Sequence, residues 1–208
     1  GLGDVYKRQP YVCCSYTNCF GSLRERDYSS VSIDDHQTAY RAVERLISLG
    51  HRRIAAMITR PDDHSISQLR YEGYKKALAE AGITPDESLV ICTETFNIQA
   101  AYQAMNRALD SGADFTAVFA ISDNMAIGAM RAFREAGVRI PEDVAVTGFD
   151  DTPLAELLGL TTVAIPNYER GYLAAQHLIA NIEGAQSYET FKIQARVVWR
   201  TSAGEARP

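Results

Sequence analysis

Three carboxylates mark where this chain could do chemistry. In PEDVAVTGFDD (141–151) an apolar run, Val144 to Val146, ends in Gly148-Phe149-Asp150-Asp151. A strand that delivers carboxylates just past its C-terminal end fits open α/β sheets, where ligands bind in the crevice outside the carboxyl ends of the strands. Asp123 opens the helix pattern immediately upstream, DNMAIGAMRAFREAG. Two successive strand–helix units thus aim acidic groups at one place. Carboxylates accept paired hydrogen bonds from vicinal sugar hydroxyls, or from the ring N–H and amino groups of a base. Asp123 can also cap its own helix. Asp150 and Asp151 can also act as turn formers, and for Asp151 the two roles stay open.

Other chemistries lack their residues. Ser15, Ser122 and Ser202 have no G-x-S-x-G context. There is no G-x-x-x-x-G-K-[ST], and no strand-turn-helix G-x-G-x-x-G. Asp123, Asp150 and Asp151 could be imagined as a hydrolase pair, but nothing else in the chain supports it. Cys13, Cys14 and Cys19 form a C-C-x4-C cluster, and Cys92 stands apart. Zinc sites pair such a cluster with a second knuckle, and His36, His51, His64 and His177 show no ligand spacing. Adjacent cysteines also point to opposite faces of a strand. The expectation is reduced thiols in a cytoplasmic protein, with no metal, no cofactor and no catalytic residue.

With 208 residues, 46% of them hydrophobic, the chain can build one large core or two small ones. Its 23% charged residues argue against a disordered acidic tail. A net charge of −5 without a basic stripe argues against direct nucleic-acid binding. No apolar run approaches the ~18 residues of a membrane span, and no signal peptide is visible.

The elements that must position the carboxylates follow from periodicity. The first nine residues, GLGDVYKRQ, are unlike the rest and read as a foreign leader. YVCCSY is a short strand. VSIDD leads into a helix, DHQTAYRAVERLISLG, with Ala39, Val43, Leu46, Ile47 and Leu49 at helical spacing and Asp35 as its expected cap. Gly50 stops it, and His51-Arg52-Arg53 are expected to complement its dipole. Strands RIAAMIT, SLVICTE, TAVFAIS and DVAVTGF then alternate with helices SQLRYEGYKKALAEAG, IQAAYQAMNRALDSG and DNMAIGAMRAFREAG. Such alternation means a parallel sheet covered on both faces. The tail breaks the rhythm with an extended LTTVAIP, one long amphipathic helix and FKIQARVVWRTS, one or two strands. The chain leaves its first lobe there and comes back.

In order and spacing, LISLGHRRIAAM, LRYEGYKKALAEAGI, AVFAISDNMAIGAMRAFREAGVRIPEDVAVTGFDD, LTTVAIP and RVVWRTS resemble the effector-binding core of LacI/GalR-family transcription regulators. The match runs from about residue 10 to residue 202. It implies the type I periplasmic-binding-protein-like fold: two α/β lobes joined by three crossing strands, with the ligand in the cleft. A family member normally begins with a helix-turn-helix domain, a hinge and most of the N-terminal lobe. By the resemblance this chain is an N-terminally truncated, C-terminal part. Residues 10–34 and 165–190 are the remnant of the N-terminal lobe, 35–164 and 191–202 the C-terminal lobe, and 203–208 a tail. The usual proline before the Leu-Thr-Thr crossing is replaced by Leu158-Gly159.

The resemblance also assigns roles. Arg70 enters the cleft from a helix start, where its planar fork can hold two hydroxyls or a carboxylate. Taken alone, Arg70 reads as an exposed charge paired with Glu72 or Glu80. Phe96 stands where the family often stacks an aromatic on the ligand ring, and Ser122 and Asp123 open the helix that faces Asp150. His64 and Ile66 occupy positions that vary with specificity, and His64 can donate or accept. Met125 and Ile127 are expected at a homodimer contact, because their helix is apolar nearly all round. The implied protein is the effector-binding and dimerisation part of a cytoplasmic regulator that senses a sugar or sugar derivative, a purine being the second class. Operator DNA would be bound only through a separate N-terminal domain. The alternative is a sugar-binding protein of an ABC transporter, which shares the fold.

Overall fold

The computed structural model describes residues 10–15, 28–60, 65–185 and 188–205. The leader 1–9, Cys19 and His64 lie outside the described residues. The chain divides into two compact units, one from 1–34 and 166–194, the other from 35–165 and 195–208.

The larger unit is built on a four-stranded parallel sheet. In chain order it contains α1 (Asp35–Ser48), β3 (Ile54–Ile58), α2 (Ile66–Glu80), β4 (Val90–Cys92), α3 (Ile98–Asp110), β5 (Ala117–Ala120), α4 (Asp123–Glu135), β6 (Ala145–Thr147), the short α5 (Pro153–Leu157), β7 (Thr162–Ala164) and β9 (Arg196–Val198). The sheet order is β4-β3-β5-β6. All of β3 and β5 is buried, which is why both strands read as unbroken apolar runs rather than alternating ones. The chain steps outward from β3 to β4 and then back across β3 to β5. With right-handed crossovers, α2 lies on one face and α3 and α4 on the other. The helix contacts agree, since α1 packs with α2 and α3 with α4. Direction therefore reverses between β3 and β5, and their C-terminal ends flank a switch-point crevice. Single bridges, Thr147 to Thr161 and Asp150 to Ala164, continue the sheet from β6 towards β7, which pairs antiparallel with β9.

The smaller unit contains β1 (Val12–Cys14), β2 (Ser29–Ile33), α6 (Asn167–Ile182) and β8 (Thr190–Ile193). Its sheet is parallel in the order β1-β2-β8. All four residues of β8 pair with β2, so this strand stays with the smaller unit beyond the boundary at 190 read from sequence. FKIQARVVWRTS makes two strands because the chain changes units between them.

Two local expectations are corrected. Asp35 is the first helical residue of α1 and a buried one, not its cap. His51 is not an exposed cation at a helix end. It is buried, with Nδ1 2.9 Å from the Thr116 hydroxyl and Nε2 2.9 Å from the Gly204 carbonyl oxygen. A carbonyl only accepts, so Nε2 carries the proton, and burial pushes the His51 pKa down.

Close helix approach depends on two glycines. A Cβ at Gly73 would lie 2.3 Å from the His36 carbonyl oxygen, and one at Gly128 would lie 2.4 Å from that of Ile98. Alanine is the better helix former by about 1 kcal/mol. Overpacking against rigid backbone costs more, roughly 1–3 kcal/mol. Gly128→Ala is therefore expected to destabilise the chain in urea unfolding, and an unchanged or raised midpoint would show that α3 and α4 can separate without cost.

Candidate functional site

Arg70 defines the site. Ser65 caps α2, its hydroxyl accepting from the Ser67 N–H at 3.1 Å, and Arg70 follows one turn inside. The side chain is 4% exposed, so the surface pairing with Glu72 or Glu80 is overturned. Nε donates to Asp35 Oδ1 at 2.8 Å, and Nη1 donates to the Ile121 carbonyl oxygen at 2.6 Å. The guanidinium carbon lies 3.6 Å from the centroid of the Phe149 ring, within cation–π range. Nη2 has no hydrogen bond to a described residue, and no buried side-chain N or O among them is left unpartnered. Nη2 therefore reaches the surface of the site.

Asp150 follows β6 at φ +127°, a left-handed conformation that a non-glycine residue adopts at a cost. Its backbone N–H donates to the Val163 carbonyl at 2.9 Å, and Oδ1 lies 3.7 Å from Arg70 Nη1. Its side chain is 37% exposed, against 3% for Asp35. Burial pushes the Asp150 pKa up to about 6, opposed by the Arg70 charge and the Asp123 backbone N–H and reinforced by the Asp123 and Asp35 carboxylates. Arg70 and Asp150 thus come together at the C-terminal ends of the strands, as a donor and an acceptor.

Asp123 and Ser122 are brought close but turned to other work. Ser122 is buried and caps α4, its hydroxyl accepting from the Met125 N–H at 3.3 Å. Asp123 is fully buried. Its Oδ2 accepts from the Thr152 N–H at 2.7 Å and its Oδ1 from the Thr162 hydroxyl at 2.5 Å. A Cβ on Gly148 would lie 2.4 Å from Asp123 Oδ1, so the glycine lets strand and carboxylate meet. Asp123 therefore anchors the loop after β6 rather than lining an open surface. Asp151, at φ +57°, forms the turn and accepts from Arg200 Nη2 at 2.7 Å.

Phe96 is 37% exposed, just before Asn97, whose side chain caps α3. No hydrogen bond or ring contact among the described residues joins it to Arg70 or Asp150. Ile66 begins α2 and is half-buried. Met125 is fully buried, so it belongs to the core and not to a partner contact. Ile127 is 8% exposed. It lines a mainly apolar groove of about 490 Å³ with Ile98, Met130, Val138, Ile140 and Leu158, flanked by Arg131, Arg134 and Arg139. No group of three or more metal-ligating side chains occurs among the described residues. Cys14 and Cys92 are exposed free thiols and Cys13 a half-exposed one.

Four residues of the site were not singled out from sequence. Asp35 was read as a cap, Phe149 as strand, and Thr162 and Arg200 as crossing segments. The only signal for Asp35 was a second aspartate, after Asp34, at a helix start.

Residues 24–203 match the model of the periplasmic binding protein-like domain. The fold is shared with a LacI-family transcriptional regulator from Enterococcus faecium with bound ribose, at TM-score 0.84 and 31% identity over 95% of this chain and 72% of that one. The chain belongs to the LacI family of periplasmic-binding-protein-like domains. The transcriptional regulator CelR of Thermobifida fusca is 41% identical over 162 residues, 77% of this chain and 47% of CelR. AscG of Escherichia coli K12 is 36% identical over 182 residues, 86% of this chain and 54% of AscG. A CelR–cellobiose complex superimposes at TM-score 0.83 and 37% identity, covering 93% of this chain and 58% of that one. The chain thus spans about half the length of the curated relatives it matches. No helix among its described residues is long and apolar enough to cross a membrane.

The Asp150 pKa has a consequence for stability. A carboxyl whose folded pKa lies above its unfolded value binds its proton more tightly in the folded state. Stability therefore falls as pH rises from about 4 to about 6. Asp150→Asn is expected to remove this slope and to raise Tm at pH 7 more than at pH 4. Parallel Tm-versus-pH curves for the two proteins would refute the shift.

Proposed function

We propose that this chain is the effector-sensing part of a cytoplasmic, DNA-binding transcription regulator whose ligand is a small neutral-faced polar molecule, a sugar or sugar derivative. The observation that carries this reading is the Arg70–Asp150 pair at the strand ends, where Nη2 is left without a protein acceptor among the described residues, beside a half-exposed carboxylate. Vicinal hydroxyls fit such a pair, one accepting from the guanidinium and the next donating to the carboxylate. The ribose and cellobiose held by two structural neighbours support a sugar. Phe96 would stack on the ligand, and His64 would add to specificity. Ser122 and Asp123 would act by holding the walls in place. No step of this function needs a nucleophile or an activated water.

In the whole protein, ligand occupancy would change how paired DNA-binding domains sit on an operator, with a coupling of about 1–3 kcal/mol. Loss of a hydrogen bond to a charged group costs roughly 1.5–3 kcal/mol. Asp150→Ala in the whole protein is expected to weaken effector affinity at least tenfold in calorimetry and to leave operator binding intact. Unchanged affinity would sink the site assignment.

The dimer reading rests on Ile127 and its groove. Ile127→Asp would place a charge on an apolar surface and is expected to shift the whole protein towards monomer. Operator binding should weaken with it, since two half-sites require a dimer. Sedimentation that finds this variant fully dimeric at low micromolar concentration would refute the placement.

A further inference from the structure

We infer that Asp35 and Asp150 together make the site selective against anions: Asp35 engages Arg70 from inside the fold and Asp150 faces it from the open side, which leaves a site that takes a neutral or amino-bearing polyol and rejects a carboxylate or phosphate. This inference deepens the proposed function and rests on it only in placing the ligand at Arg70 and Asp150.

An arginine facing a pocket ordinarily invites an anion, because its fork matches a carboxylate or phosphate. Here the fork is already engaged. Asp35 takes Nε at 2.8 Å on the buried side, and both side chains are nearly inaccessible. Nη1 is given to the Ile121 carbonyl and faces Asp150 at 3.7 Å. A third carboxylate, Asp123, is fully buried behind Asp150, and its ties to Thr152 and Thr162 are to neutral donors. Asp151 does not add to the count, because Arg200 answers it.

Among the described residues, the charged groups around this end of the site from α1, α2, α4 and the β6 end are thus Asp35, Arg70 and Asp150, together with the fully buried Asp123. They sum to one positive and three negative charges. At such separations and low effective dielectric, like charges repel strongly. An incoming anion would gain one donor, Nη2, and meet Asp150 directly, with the buried Asp35 and Asp123 carboxylates adding to the repulsion. A hydroxyl or amino group gains the same neighbourhood as an acceptor. The raised pKa of Asp150 is in keeping with that surplus of negative charge.

Sodium formate, the smallest carboxylate, tests this directly, with chloride holding ionic strength constant. Wild-type chain at pH 7.5 is expected to show no saturable thermal shift with formate. Asp35→Asn/Asp150→Asn should bind formate at least tenfold tighter than the wild-type limit, and Arg70→Gln on that background should abolish the binding. Should the double variant fail to fold, Asp150→Asn alone decides, because it leaves the Arg70–Asp35 pair in place. It should show a smaller Arg70-dependent gain, matched by wild type at pH 5. Saturable, Arg70-dependent formate binding to wild type would overturn the inference, and so would no gain in the variant that decides. A second arm compares ribose with ribonate and cellobiose with cellobionate on the whole protein. Tighter binding of either acid than of its neutral partner would also overturn it. If neither neutral sugar binds, the choice of sugar in the proposed function fails while the formate result still decides the selectivity.

Discussion

A guanidinium removed from water is tolerable only where its charge and its N–H groups are answered, and Arg70 is the place where this fold meets that demand. The answers come from far apart in sequence. Asp35 opens α1, Ile121 ends the central strand run, and Phe149 and Asp150 follow β6. Holding one planar group therefore fixes the start of one helix and the ends of two strands relative to α2. Removal of either Arg70 or Asp35 would leave the other charge buried and unpaired, which is far more damaging than never having had the pair.

A second set of polar ties surrounds this centre and restrains the extended segments. Asp123 gathers the Thr152 N–H and the Thr162 hydroxyl. Arg200 spans Asp151 and the Leu160 carbonyl. The Ser202 hydroxyl donates to the Val146 carbonyl and accepts from the Thr161 N–H. Neutral His51 holds the segment at Gly204. Thr162 and Arg200 lie within a few residues of 165–166 and 194–195, where the chain passes between its compact units, whereas His51 holds Gly204 at the N-terminal ends of the strands. The same polar frame thus supports the Arg70–Asp150 pair and the ends of the segments that leave and re-enter the larger unit.

Much of the fold was legible because its causes are local. Strands β3 and β5 read as apolar runs because both faces are covered, and Gly82, Gly112 and Gly137 read as helix stops because each takes a positive φ that glycine adopts freely. Asp150 was legible for a similar reason, since a carboxylate just past a strand end lies in the crevice by construction. The reading failed where one residue type has both a local and a distant use. Asp35 suited a cap and became an ion-pair partner. Asp123 suited a ligand and became an anchor. Met125 suited an interface and became core, because a helix apolar on every side does not reveal which side its own sheet covers.

Sequence by itself determined the strand–helix alternation, the family, and the presence of an arginine and several aspartates near one sheet edge. Periodicity and turn chemistry act over a few residues, and the order of the motifs is preserved in the chain. Only the tertiary structure decided which aspartate answers Arg70, which one stays half-exposed, and how negative their surroundings become. Electrostatic environment depends on burial and on distances of a few ångströms between groups up to about a hundred residues apart. Neither quantity is written in the spacing of the residues that share it.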